Sequence, residues 1–305
     1  MSIIHTVLGP VSPQQLGVTL YHEHLAMKPG SGEEFSHYIF DDPGKMSKEL
    51  AFFKNGGGGT IVEMSPLNFG RDIAACQQIS RETGVHVICC TGFHKKRLLP
   101  EWVYSKSDAE IKQILINEIN TGIDGTQARA GVIKIGTSRG EIFPIEERMI
   151  SIVARVHNET NIPISTHCDR GLLALEQGKI LLKNDVSPER VVFGHVDIPN
   201  DANYLAEICR LGFNVGIDHI GRDLKNHDHV KLEMIRILIE KGYIRNIFIA
   251  GDMGKRDYLE VYGGKPGFDY IVTDFKEYFH QHGMTEEQYS QILIENPLRF
   301  FQTSA

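Results

Sequence analysis

The run Gly17-Val18-Thr19-Leu20-Tyr21-His22-Glu23-His24 begins as a short apolar strand and closes on two histidines one residue apart. In an extended strand the side chains at i and i+2 leave the same face. His22 and His24 therefore offer two imidazoles to one point in space, the way a divalent cation is gripped. Alone, an HxH is more often a surface pair. Its weight depends on whether further ligand-type residues stand at the ends of later strands, so the fold has to be read first.

Counting outward from 18–24, β-branched runs recur at 60–64, 86–90, 131–136, 162–167, 191–195, 214–219 and 247–252, which makes eight. Helical stripes lie between them. Ile145, Met149, Ile152, Val153 and Val156 share one face of a helix opened by Pro144. Ile111, Ile114, Leu115 and Ile119 repeat the pattern, as do Leu232, Ile235, Leu238 and Ile239. Thr285 and Gln288 read as a capping box for the last helix and Pro297 as its stop. Eight strands alternating with helices over 305 residues, with no linker-like break, predict an α/β fold. The expected architecture is a single (β/α)8 TIM barrel, one domain over 1–305, with its chemistry at the C-terminal ends of the strands. A doubly wound sheet competes, but its Gly-rich turn after the first strand is missing. The run Gly56-Gly57-Gly58-Gly59 precedes a strand and lacks a Gly-Lys-Ser/Thr tail, so it reads as a turn and not a phosphate loop.

The chain is 41% hydrophobic and 23% charged, with a formal net charge of −7. That balance argues against nucleic acid as a partner, because phosphate backbones call for a basic face. A local cationic pocket remains compatible with it. Cys76, Cys89, Cys90, Cys168 and Cys209 form no CxxC pair and no disulfide spacing, which points to a reducing compartment. Neither a basic-then-apolar leader nor a membrane-length apolar run is seen, and the expected location is the cytoplasm.

With the strands placed, the barrel rim can be inventoried. Strand one ends in His22 and His24, strand four carries Lys134, strand five ends in His167, strand six in His195 and strand eight in Asp252. Each has an ordinary structural explanation: a satisfied core histidine, a helix cap for Asp252, a carboxylate partner such as Asp252 or Glu63 for Lys134. Lys134 is the most telling, since a lysine between Ile133 and Ile135 should not face a barrel interior unpaired. Six such residues on five strand ends are hard to obtain by chance.

These segments carry a resemblance. Gly17-Val-Thr-Leu-Tyr-His-Glu-His24, Val132-Ile-Lys134-Ile-Gly-Thr, Ser165-Thr-His167, Val192-Phe-Gly-His195-Val-Asp and Ala250-Gly-Asp252, with the closing Glu295-Asn-Pro-Leu-Arg-Phe-Phe301, resemble the phosphotriesterase family of the amidohydrolase superfamily. Similarity covers nearly the whole chain. Some homologues carry glutamate at the position of Lys134, whereas here the lysine stands. The resemblance implies a binuclear centre in which His22, His24 and Asp252 hold one ion and His167 and His195 the other. Lys134, modified to N6-carboxylysine by CO2, would bridge them. Mixed nitrogen and oxygen ligation suits zinc, and also manganese or cobalt. The implied reaction is hydrolysis by a hydroxide shared between the ions, with Asp252 as the catalytic proton acceptor and later donor. A homodimer is compatible with the same resemblance.

The loops after the strands should set the substrate. Lys95 lies in the cation-rich run Thr91–Arg97 after strand three, Arg222 follows strand seven, and Lys255, Arg256 and Tyr258 follow Asp252. Arginine, lysine and a tyrosine hydroxyl are donors suited to a phosphate monoester. The expected substrate is therefore an anionic small molecule, a phosphorylated aldono-1,4-lactone. The alternatives are organophosphate or carboxyl-ester hydrolysis, acyl-homoserine lactone hydrolysis, and a non-catalytic metal-binding scaffold. Cys168, beside His167, reads as packing, and Asp169 and Arg170 stand where a substrate could touch them. Asp197, Asp218 and His219 are placed to orient ligands, and the second HxH, His227 and His229 in the polar stretch 225–228, reads as surface.

Overall fold

Eight parallel strands pair strictly in chain order: β1 (Val18–Glu23), β2 (Gly58–Glu63), β3 (His86–Gly92), β4 (Val132–Thr137), β5 (Ile164–Cys168), β6 (Val191–Gly194), β7 (Asn214–Ile217) and β8 (Ile247–Ile249). The structure is a computed structural model and describes residues 2–30, 32–222 and 227–304. β8 comes back beside β1, so the sheet curls into a nearly closed TIM-type barrel. Each strand falls within two residues of its expected start, because near-continuous Val/Ile runs are what a sheet buried on both faces requires.

Two apolar layers result. Inside the barrel Val62, Ile88, Val132, Val192 and Phe248 pack on Tyr21. Outside, the strands are covered by helices including Asp108–Asn120, Pro144–Thr160 and Ala174–Lys183. The amino-terminal end of the barrel is closed by a small antiparallel sheet of Ser2–Thr6, Gly9–Val11 and Thr303–Ser304. Ile4, Phe300 and Phe301 plug the interior from that side. This sheet joins the two ends of the chain, and no local pattern announces such a pairing.

Three further points depart from or refine the sequence reading. Pro297 does not stop the last helix. A π turn, Gln291–Glu295, passes directly into Asn296–Phe301, and Pro297 sits in the first turn of that segment, where its missing N–H is tolerated. The capping box at Thr285 and Gln288 forms as expected. His227 and His229 belong to the helix His227–Glu240, with His229 exposed, while residues 223–226 lie outside the described residues. Within the glycine run, a Cβ on Gly59 would stand 2.2 Å from the Leu16 carbonyl oxygen, so strand contact demands that glycine.

Candidate metal centre

The rim at the C-terminal ends of the strands opens into a cavity of about 360 Å³, within the range for a small-metabolite site. His22, His24, Lys134, His167, His195 and Asp252 all line it. The ring centroids of His22 and His24 lie 5.9 Å apart, those of His22 and His195 5.0 Å, and those of His167 and His195 4.5 Å. Asp252 Oδ1 stands 3.2 Å from His24 Nε2 and 3.7 Å from His22 Nε2. Ligand atoms of His22, His24 and Asp252 all lie within 4.8 Å of one another.

Simple alternation does not deliver this arrangement. Tyr21 points into the barrel core, yet its neighbour His22 lines the cavity above. A register shift against β2 between Leu20 and Glu23 lets two successive side chains face inward. Two further candidates sit on left-handed backbone, His195 at φ 66° and Asp252 at φ 45°. Non-glycine residues persist there only where their surroundings hold them. The surroundings are buried carboxylates. Glu23 accepts the backbone N–H groups of Gly251 and Met253, each at 2.7 Å, and so brackets Asp252. Asp218 accepts the His195 backbone N–H at 2.9 Å and the Tyr21 hydroxyl at 2.7 Å, and lies 3.1 Å from His195 Nδ1.

Lys134 is the oddity of the site. Its side chain is 2% exposed and its Nζ lies 3.1 Å from His22 Nε2. Among the described residues no carboxylate oxygen lies within 4.0 Å of it, so neither Asp252 nor Glu63 pairs with it. Burial draws its pKa down, toward the neutral amine. Asp252 does not cap a helix either, because the next helical turn begins at Arg256 with Lys255 before it. Burial alone would raise the Asp252 pKa, but Arg222 and the neighbouring imidazoles hold it well below the usual carboxylate range. For His24 burial opposes charge, yet Asp252 and Glu63 carry the imidazole up to about 9.

The donor set fits divalent cations. His167 Nε2 and His22 Nδ1 are buried with no hydrogen-bond partner among the described residues. A sealed imidazole nitrogen without a partner is unfavourable unless something accepts its lone pair. Four imidazoles, one ionised carboxylate and an uncompensated amine around one cavity are a nitrogen and oxygen donor set that suits divalent cations.

The loop residues divide. Lys255 and Tyr258 line the cavity, Lys255 with its ammonium 5.5 Å from the Tyr38 ring. Arg222 lines it too, but its Nε donates to the Gly251 carbonyl at 2.8 Å and its NH2 lies 2.5 Å from Asp252 Oδ2. It therefore holds Asp252 and does not await a ligand. Lys95 stands outside the lining and pairs at 2.9 Å with Asp169, which lines the cavity, so its charge is already neutralised. Arg256 is the clearest correction. Its Nε donates to the Ile39 carbonyl at 2.7 Å and its NH2 to Asp41 at 3.2 Å, and it lies outside the cavity lining. A 3-10 turn, Arg256–Tyr258, swings successive residues to different sides, and position 256 faces the loop after β1.

Residues with no role assigned from the sequence also line the cavity, among them His94, Phe69 and Tyr38. A histidine two residues past the end of β3 is a further strand-end imidazole, and that was the available signal. Arg170 also lines the cavity, on left-handed backbone at φ 58°. Cys168 is packing, as expected: it lies 3.2 Å from Gln177 Nε2, and burial pushes its thiol up to about 12. His219 pairs with Asp197 at 2.7 Å, and Asp197 is held in turn by Lys231 at 3.0 Å.

Comparison with known proteins gives the family. The model of the phosphotriesterase family matches residues 2–301. The chain is 33% identical over 287 residues to a phosphotriesterase homology protein of Escherichia coli, covering 94% of this chain and 98% of that one. It is 30% identical over 317 residues to a phospho-furanose lactonase of Mycoplasmopsis synoviae, covering 96% and 90%. The solved structure of a lactonase from Listeria monocytogenes superposes with a TM-score of 0.94 at 29% identity, covering 99% of this chain and all of that one.

Proposed function

The chain belongs to the phosphotriesterase family, and from that premise we propose that it opens the ring of a phosphorylated sugar 1,4-lactone. Its family and its relatives make it a metal-dependent enzyme that hydrolyses ester bonds. In the proposed centre His22, His24 and Asp252 would hold one divalent ion and His167 and His195 the other, with Lys134 available to both once carboxylated. Two ions held there would supply Lewis acidity and lower the pKa of a water toward neutrality.

The remaining steps belong to the protein. Burial draws the Lys134 pKa down, toward the neutral amine whose lone pair can attack CO2. On losing a proton it becomes a carbamate, an anionic two-oxygen ligand in place of an uncompensated buried amine. Asp252 is ionised, steered by Arg222, and within reach of the cavity; it accepts the proton of the attacking water and returns it to the departing ring oxygen.

One observation carries the choice of substrate: Lys255, Tyr258 and Arg170 face the cavity, and among the described residues neither Lys255 nor Arg170 has a carboxylate within 4.0 Å. Lys255, half-buried, and Arg170, exposed at the mouth, are cations without a carboxylate partner in a protein of net charge −7, and they favour an anionic substrate group. A neutral phosphotriester would leave these donors without a partner. The 30% identity to a phospho-furanose lactonase supports the same reading. The five cysteines are all buried and unpaired, which supports a reducing compartment such as the cytoplasm. Steady-state kinetics on 1,4-lactones with and without a 5-phosphate test the proposal. We expect kcat/KM at least about a hundredfold higher for the phosphorylated member, since charge-assisted contacts are the strong ones. Equal values would overturn it.

A further inference from the structure

We infer that His94 is a specificity-determining residue whose Nε2 donates a hydrogen bond to a hydroxyl on the carbon next to the scissile carbonyl. The inference rests on the lactone reading and extends it to the acyl side of the substrate.

His94 lies just past β3, and two aromatic neighbours fix its plane. Its ring stacks on Phe69 with centroids 5.5 Å apart at 29°, and stands 4.2 Å from His167 at 53°. Its Nδ1 accepts the backbone N–H of Lys95 at 2.8 Å. A neutral imidazole that accepts at one nitrogen carries its proton on the other, so Nε2 is a donor. Among the described residues Nε2 has no protein partner, and it is not one of the sealed, unsatisfied nitrogens. Because His94 lines the cavity, that donor opens onto it.

Its place on the rim gives the donor a target. Lys255 and Tyr258 come from the loop after β8, whereas Phe69 and His94 come from the loops after β2 and β3, and the six strand-end residues line the same cavity. In a 1,4-lactone 5-phosphate the phosphate arm hangs from the carbon that bears the ring oxygen. The carbonyl carbon and the C2 substituent lie on the other side of that oxygen. Anchoring the phosphate at Lys255 and setting the ester over the centre turns C2 toward His94. A hydroxyl there has a lone pair for Nε2–H; a methylene has none, and leaves the donor unpaired on complex formation. The site should therefore prefer 2-hydroxy lactones to their 2-deoxy counterparts.

The experiment measures kcat/KM of metal-loaded wild type, His94→Phe and His94→Gln on ribono-1,4-lactone 5-phosphate and on its 2-deoxy analogue, with metal content determined for each protein. The readout is the 2-hydroxy to 2-deoxy ratio within each variant. Partial loss of metal scales both rates and leaves the ratio intact, and the intrinsic reactivity difference of the two esters cancels between variants. We expect the ratio to fall about tenfold in His94→Phe and to be largely restored in His94→Gln, whose amide N–H reaches the same region. An unchanged ratio in His94→Phe overturns the inference while leaving the lactonase reading standing. Hydrolysis of neither compound by the wild type overturns the lactonase reading, and the role of His94 with it.

Discussion

Lys134 and Arg256 show how much one side chain decides. Lys134 is fully enclosed, has no carboxylate partner among the described residues, and is drawn toward neutrality by burial. Lys134→Met should lower metal content below that of wild type and cut activity by more than about a hundredfold, beyond the effect of losing an outer partner of a metal ligand. In the wild type, 13C-labelled bicarbonate should give a carbamate resonance in the NMR spectrum that the variant lacks; the same resonance in both would place the modification elsewhere. Arg256 lies outside the cavity and ties the loop after β8 to Ile39 and Asp41. Arg256→Ala should destabilise the fold by about 1 kcal/mol and change kcat/KM equally for phosphorylated and unphosphorylated lactones. Lys255→Ala should raise KM for the phosphorylated lactone alone. A selective KM effect in Arg256→Ala instead would restore that arginine to the substrate.

Among the elements, β1 and the turn after β8 depend on each other. The irregularity in β1 sends Tyr21 and His22 inward together, and the next residue, Glu23, crosses the seam of the barrel to receive Gly251 and Met253. Burial raises the Glu23 pKa to about 8, against the pull of those two N–H groups. Glu23→Ala removes the acceptor from two enclosed backbone donors and should destabilise the protein by about 2–4 kcal/mol. The measurement is chemical denaturation of the metal-free protein. Metal uptake should fall as well, because Asp252 loses what holds its left-handed backbone. Glu23→Gln, which keeps an acceptor oxygen, should recover a good part of both; full stability in Glu23→Ala would show that the turn holds itself.

At the scale of the molecule, the cluster couples metal, proton and stability. In the metal-free protein the folded-state pKa of His24 is raised from its ordinary value to about 9. Its protonation therefore adds stability that is complete below about pH 6.5 and is lost as the pH climbs through 9. A metal ion needs the deprotonated imidazole, so ion binding runs the opposite way. The stabilisation conferred by Mn2+ should grow between pH 6.5 and 9, by up to about 1.4 kcal/mol per pH unit for each proton released. Thermal unfolding with and without the ion across that window checks it, and a metal-dependent gain independent of pH would remove His24 from the ligand set.

Much of the barrel was legible because its strands are buried on both faces and leave uninterrupted β-branched runs. The strand-end residues were legible because polar groups closing such runs have little reason to be there unless they serve the rim. Those signals are local, carried by adjacent residues. The antiparallel sheet joining Ser2–Thr6 to Thr303–Ser304 was not legible, since its partners are nearly a whole chain apart. Nor were the inward turn of both Tyr21 and His22, the diversion of Lys95, Arg222 and Arg256 to protein partners, or the approach of His94 to His167. A sequence lists which charges and imidazoles a rim possesses. Which of them are left facing the cavity is decided by pairing in three dimensions, where a cation four residues past a candidate ligand is turned by one 3-10 turn toward a different loop.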